Sequence, residues 1–393
     1  MTASRQSATP TAPLTLAAIR AHVFRTPLAK PVATSFGIMR ERAAVILEVE
    51  DRDGAVGYGE IWCNFPSCGA EHRARLAALD LGPLALGRTF AHPSDGYRHM
   101  TAATRILAIQ AAEPGPFAQV IGGLDMALWD LAARKAGVPV CRLLADDCSA
   151  SVPAYASGID VRVAPELIER AAGEGYRAFK IKVGFQGIDE LRLIHEARAA
   201  APAGTAMMAD ANQGWTLEGA LAFVRQQELP QLGWLEEPLA ADAPEHEWRV
   251  LAGEAPMPLA AGENMLGDGV FEAAIQSRTL GVLQPDMAKW GGFSGCFPVA
   301  RAAIAAGLTY CPHYLGGGVG LLASAHLLAA AGGPGLLEVD VNPNPLRTAL
   351  YEPVLDPSGH VVLPRGPGLG IVPDLAALAA FRSATFETSP FDR

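Results

Sequence analysis

The chain reads as an α/β protein built on a closed parallel barrel, preceded by a smaller α+β module. Three observations predict this. After Ser151, eight apolar strand-like runs alternate with seven helical stretches, the rhythm of strand–helix units around a parallel sheet. No G-x-G-x-x-G turn follows any of these runs, although an open doubly wound nucleotide-binding sheet usually carries one. Finally, the runs end in acids, lysines and a histidine, whereas their apolar stretches come first.

Residues 1–13 are Ser/Thr/Pro-rich and read as a loose tail. Residues 14–150 form the capping module. Its first part alternates strand-like runs, such as Ala43 to Val49, with turns such as Asp53-Gly54. Its clearest helix is Ile121 to Ala136, where Leu124, Leu128, Leu131 and Ala132 recur at helical spacing and Gly137 with Pro139 supplies the stop. Residues 151–340 hold the barrel. Strands are expected at Val152–Ser157, Ala178–Val183, Ala206–Asp210, Gly233–Glu236, Leu259–Glu263, Gly281–Asp286, Leu308–His313 and Leu336–Asp340. Helices are expected between them, for example at Ala164–Glu174, Asp189–Ala200, Leu217–Gln227 and Phe297–Ala306. Gly316-Gly-Gly318 lacks a nucleotide fingerprint and reads as a flexible or close-approach loop. The turn-rich residues 341–393 are too short for a domain and are expected to pack back on the capping module.

Lys180 and Lys182 stand two apart in an otherwise apolar strand, so both ammonium groups project to one face. Burying an ammonium group costs several kcal/mol unless anions compensate it. An edge strand with a wet face would explain the pair equally well on its own. The other strand ends tip the balance, because Lys182, Asp210, Glu236, Glu263, Asp286, His313 and Glu338 would converge on one mouth of a barrel. Asp210, Glu236 and Glu263 on successive strands form a hard-oxygen set suited to Mg²⁺, although each acid alone could merely cap a helix. Glu237 should diverge from Glu236 and is read as a supporting or solvent-facing residue. Asp286 beside His313 can fix the imidazole tautomer and make a general acid or base.

The composition narrows the partners. With 31 basic and 41 acidic residues the formal charge is −10, which argues against nucleic acid or an anionic membrane surface. No apolar run of about 18 residues and no secretory leader is evident. The six cysteines lack metal-ligand spacing, and reduced thiols in a cytoplasmic protein are the default expectation.

Seven motifs in order resemble the enolase superfamily and, within it, the mandelate racemase subgroup. They are Lys180-Ile-Lys182, Asp210-Ala-Asn212, Trp234-Leu-Glu-Glu-Pro238, Gly262-Glu-Asn264, Pro285-Asp-Met-Ala-Lys-Trp-Gly-Gly292, Pro312-His313 and Leu337-Glu338. The resemblance implies a (β/α)₇β modified TIM barrel with a capping domain completed by the C-terminal segment. It implies Mg²⁺ on Asp210, Glu236 and Glu263, and removal of the proton α to a carboxylate through an enediolate. Lys182 would be one acid/base and His313 with Asp286 the other, with Lys180 in electrostatic support and Glu338 hydrogen-bonding the substrate carboxylate. In muconate-cycloisomerase and dipeptide-epimerase relatives a lysine stands five residues before the Gly-Gly pair, where this chain has Asp286. A lysine–lysine mechanism is therefore disfavoured. Lys289 resembles a residue that relatives carry without a catalytic role.

The resemblance favours dehydration of a sugar acid or other hydroxy acid to a 2-keto acid. Racemisation or epimerisation of a 2-hydroxy acid is the alternative, and a non-catalytic sugar-acid-binding barrel the distant one. The expected partner is a small-molecule carboxylate substrate, and a homo-oligomer is expected. Specificity is expected from capping loops near 33–42 and 62–72, where Phe36, Arg40, Arg42, Trp62, Asn64 and His72 are candidates, together with Asn212 in the barrel. An arginine at 40 or 42 would suit a second carboxylate, making the substrate a diacid.

Overall fold

The computed structural model describes residues 11–34, 37–185 and 187–388. Four strands build the sheet of the cap: β1 (Leu14–Thr34), β2 (Gly37–Asp51), β3 (Val56–Ile61) and, after a long excursion, the C-terminal strand of the chain. A short strand, β4 (Thr89–Phe90), pairs with the start of β1. The helix Pro114–Ala136 lies on this sheet and ends at Gly137, whose φ of 69° supplies the left-handed stop. Helix and sheet approach closely at Gly59, where a β-carbon would sit 2.0 Å from the Gly123 carbonyl oxygen.

The barrel strands are β5 (Ser151–Asp160), β6 (Ala178–Lys182), β7 (Ala206–Asp210), β8 (Leu235–Glu236), β9 (Leu259–Ala261), β10 (Val282–Leu283), β11 (Thr309–Tyr310) and β12 (Leu337–Asp340). They pair in parallel from β5 through β11, with β12 on the other side of β5. Among the described residues, β11 and β12 meet through side chains, not a backbone ladder: Leu336 N donates to Cys311 Sγ at 3.3 Å and Tyr314 N to Glu338 Oε2 at 3.1 Å. A short strand, β13 (His360–Val362), runs antiparallel to the start of β5. The last strand, β14 (Arg382–Glu387), lies antiparallel on β1.

Four barrel strands are shorter than the apolar runs suggested. β9 stops at Ala261 because Gly262 turns to a φ of 147°, and β10 stops before Pro285 and β11 before Pro312, which have no N–H to extend a ladder. β8 begins only at Leu235. Glu263, Asp286 and His313 therefore sit on the loops just past their strands, still at the mouth.

Inside the barrel, Tyr155, Ala178, Met208, Trp234, Ala260, Val282 and Cys311 form a buried apolar floor, with Leu336 packed against it. Two residues further along their strands lie Ser157, Lys180, Asp210, Glu236, Gln284 and Glu338, and beyond Cys311 lies His313. The period-2 pleat thus stacks a polar layer directly on an apolar one.

The cap is tied to the barrel by buried charge. Arg42 on β2 is 2% exposed and donates from Nη2 to Asp340 Oδ2 on β12 at 2.6 Å. Glu60 on β3 accepts from the amides of Gly317 and Gly320. A β-carbon on Gly317 would lie 2.6 Å from that carboxylate, so the triple-glycine stretch is a close-approach loop. Removing one partner of a buried pair strands the other. Arg42→Met should lower stability by about 3–5 kcal/mol, read as a lower denaturation midpoint, and Arg42→Met with Asp340→Leu should recover part of the loss.

Candidate functional site

The mouth of the barrel gathers six carboxyl groups, Asp210, Glu236, Glu237, Glu263, Asp286 and Glu338, and four cationic side chains, Lys180, Lys182, Lys289 and His313. Lys180 has no solvent exposure. Its ammonium lies 2.5 Å from Glu236 Oε1, 2.8 Å from Glu338 Oε1 and 3.5 Å from Asp210 Oδ2, with the Tyr155 ring centroid at 5.4 Å. Burial alone would push this lysine down, but Glu236 and Glu338 override it and hold it well above its ordinary value. Lys182 reaches Asp210 Oδ2 at 2.5 Å, so both lysines share one acid and therefore one face of β6. Burial opposes its charge as well, but Asp210 together with Glu236 and Glu338 holds its ammonium above the ordinary value.

Opposite the lysines, His313 Nδ1 lies 2.8 Å from Asp286 Oδ2. Asp286 Oδ1 accepts from the amides of Ala288 at 2.8 Å and Lys289 at 3.2 Å, which fixes the carboxylate before it meets the ring. Nε2 of His313 contacts Glu263 Oε2 and lies 3.7 Å from Glu338 Oε2. Burial opposes the imidazolium, yet Glu263 and Glu338 raise it well above its usual range. Glu338 accepts further bonds from Ser157 Oγ and Tyr314 N.

Glu236 Oε2 accepts from Trp234 Nε1 at 3.1 Å and Gln284 Nε2 at 2.7 Å. Asn212 donates its amide to Asp210 Oδ1 at 2.7 Å, and it adopts a φ of 44° that turns the chain back over the acid. Glu237 is not solvent-facing: it is 1% exposed and accepts from Asn264 Nδ2 at 2.9 and 3.0 Å. A φ of 37° swings it inward. Lys289, read from the sequence as a bystander, bridges Glu263 at 3.3 Å and Asn264 Oδ1 at 3.1 Å, with its ammonium 4.8 Å from the Trp62 ring centroid. Its position three residues after Asp286, on the turn that caps that carboxylate, was the available signal.

The capping candidates divide. Trp62 stands over Lys289, and Asn64 donates to the Leu315 carbonyl at 2.7 Å. Arg42 is spent on Asp340 and does not face the site, because β2 turns that residue toward β12. His72 pairs with Glu113 at 3.3 Å, away from the mouth. Arg40 is exposed on β2, and no contact joins it to the charged cluster among the described residues. Phe36 lies outside the described residues.

The comparisons with known proteins agree with the fold. Residues 18–145 match the mandelate racemase / muconate lactonizing enzyme N-terminal domain, and residues 163–377 the enolase C-terminal domain-like family. The chain belongs to the mandelate racemase/muconate lactonizing enzyme family of the enolase superfamily, a family of enzymes. It is 32% identical to D-galactarolactone cycloisomerase of Agrobacterium fabrum, over 93% of this chain and 98% of the relative. It is 28% identical to arabinonate dehydratase of Saccharolobus solfataricus, over 83% and 87%. A solved mandelate racemase/muconate lactonizing enzyme from Bordetella bronchiseptica superposes with a TM-score of 0.88 at 54% identity, covering 94% of this chain and 99% of that one. A Streptomyces coelicolor racemase with bound magnesium gives 0.84 at 26% identity, covering 93% and 99%. Among the described residues no helix is long and apolar enough to cross a membrane.

The two lysines differ in what they hold together. Lys180→Met leaves Glu236 and Glu338 buried without their ammonium, and a loss of about 3–5 kcal/mol is expected. Lys182, with a side chain 13% exposed, can be replaced by Met at lower cost. Melting of the two metal-free variants side by side checks the order; equal midpoints would contradict it.

Proposed function

We propose that this enzyme removes the proton α to the carboxylate of a sugar acid or related hydroxy acid and expels the β-hydroxyl, giving a 2-keto acid. The carrying observation is that Lys182 on one flank and the His313–Asp286 pair on the other bracket the three acids Asp210, Glu236 and Glu263. Lys182 would take the α proton. His313, its Nδ1 held by Asp286, would present Nε2 to the departing β-oxygen and protonate it.

The donor set fits a divalent ion, and among the described residues no three His, Cys, Asp or Glu side chains already stand in metal-holding geometry. Each acid instead leans on a neighbouring cation. Six carboxyls stand against four cations, too few to keep every carboxyl ionised. The strain shows where burial raises Glu236 to about 7 and Glu237 to about 8. Asp210, Glu236 and Glu263 would hold one Mg²⁺, which would supply positive charge to the substrate carboxylate; with those acids so engaged, Lys182 would be less strongly held in its protonated form. Trp234 and Gln284 would orient Glu236, as the partners of ligating carboxylates do. Lys180 would stabilise charge developing on the carboxylate. Glu338 lies below the ordinary carboxylate range: burial would raise it, but Lys180 and His313 prevail. It would therefore suit a substrate carboxylate only when carrying a proton. Asn212, Trp62 and Asn64 would contact the substrate.

A second reading is supported by the cycloisomerase relative. Opening a sugar-acid lactone needs the same α-proton removal, with a ring carboxylate leaving instead of water. Racemisation would return the proton through His313 with no β-oxygen lost.

A panel of sugar acids, their lactones and 2-hydroxy acids, assayed in D₂O with Mg²⁺ and a 2-keto-acid readout, separates these readings. A keto product from the open acid is expected; a keto product from the lactone and not from the open acid supports the second reading, and inversion with deuterium uptake and no keto product the third. Chelation should abolish turnover and added Mg²⁺ restore it. Lys182→Ala and His313→Ala should each lower kcat by at least about 10²–10⁴-fold while the chain stays folded. Undiminished turnover in both variants would overturn the acid/base assignment.

A further inference from the structure

Away from the mouth, Cys141 and Cys148 meet at the joint where the helix Val140–Leu144 hands the chain over to β5. Their sulfurs share a hydrogen bond at 3.0 Å, about 1 Å from the separation of a disulfide. The connecting turn is already closed: Ala145 N donates to the Cys141 carbonyl at 3.0 Å, and the Arg142 guanidinium to the Asp146 carbonyl. Both flanks are pinned to one barrel helix, Gly318–Ala331. Cys141 N donates to Nδ1 of His326 at 3.3 Å, and Ser149 N to the Ala329 carbonyl at 3.1 Å. His326 can accept because burial lowers it to about 4 and keeps the ring neutral, while Nε2 donates to the Leu369 carbonyl at 3.2 Å.

Cys148 differs from the other cysteines. Burial raises Cys63 and Cys311 to about 12, which makes them inert. Cys148 is drawn down to about 7 by the bond it shares with Cys141 and, against burial, by Arg142. It is 9% exposed and lies in a turn whose Asp146 and Asp147 are exposed to solvent.

We propose that Cys141 and Cys148 form a dithiol that a hydroperoxide oxidises to an intramolecular disulfide, stapling the joint between cap and barrel. The Cys148 thiolate attacks hydrogen peroxide, the O–O bond breaks, and a sulfenic acid forms at Cys148 while the departing hydroxide takes up the proton that the thiol released and leaves as water. The Cys141 sulfur, giving up its proton, then attacks the Cys148 sulfur; the S–S bond forms, the S–O bond breaks and a second water departs. Two electrons pass from the sulfur pair to hydrogen peroxide.

The test uses the full chain with Mg²⁺ in a Cys68→Ser background, which removes the exposed thiol. After mild hydrogen peroxide, denaturation and alkylation, the free thiols should fall from five to three. Non-reducing peptide mapping should show one species joining Cys141 to Cys148, lighter by two hydrogens, and dithiothreitol should restore five thiols. With Cys148→Ser added, the remaining thiols should all survive the same exposure. With Cys141→Ser instead, a dimedone adduct should accumulate at Cys148. Five alkylatable thiols after oxidation, separate sulfinic acids at the two positions, or pairing of either with another cysteine would each overturn the proposal.

Discussion

The structure turns on one ammonium group placed where no water reaches it. Lys180 lies on β6 with Glu236 from β8 and Glu338 from β12 closed on it and Asp210 from β7 just beyond. An uncompensated charge there would cost several kcal/mol. The compensating acids must therefore come from strands on both sides of β6, which ties the far side of the barrel to the near one. Those acids are in turn held by donors with little other purpose, Trp234 and Gln284 on Glu236, and Ser157 and the Tyr314 amide on Glu338. The polar layer is thus one network resting on an apolar floor, with Lys182 and His313 at its two margins.

The cap completes that network from above. Arg42 and Glu60 dock it, and Glu60 does so on the loop that follows His313 and Tyr314. Trp62 then lies over Lys289, whose ammonium faces Glu263. The cap and the charged mouth of the barrel are therefore mechanically joined. The diacid idea loses one of its two arginines, since Arg42 already neutralises Asp340.

Much of the site was legible because two regularities are strong. Strand pleating has period 2, so Lys180 and Lys182 read as sharing one face in the bare sequence. Parallel strands share a direction, so their carboxyl ends share a mouth. What escaped depended on departures from those regularities. The positive φ of Glu237 turns a residue that alternation would send outward into the cluster. Pro285 and Pro312 shorten ladders that their apolar content would lengthen. Lys289 and Glu60 owe their partners to contacts between distant segments, which no local pattern encodes. The approach of Cys141 to Cys148 likewise needs the turn between them to be closed, a matter of Arg142 and Asp146 and not of cysteine spacing.

The central claim is that Asp210, Glu236 and Glu263 exchange their lysine and histidine partners for one divalent ion. Titration with Mn²⁺ followed by electron paramagnetic resonance measures this without reference to a substrate. One bound ion per chain is expected, displaced by Mg²⁺ and lost or strongly weakened in Asp210→Ala, Glu236→Ala and Glu263→Ala, each shown to be folded. No binding to the intact protein, or binding untouched by all three substitutions, would contradict the account.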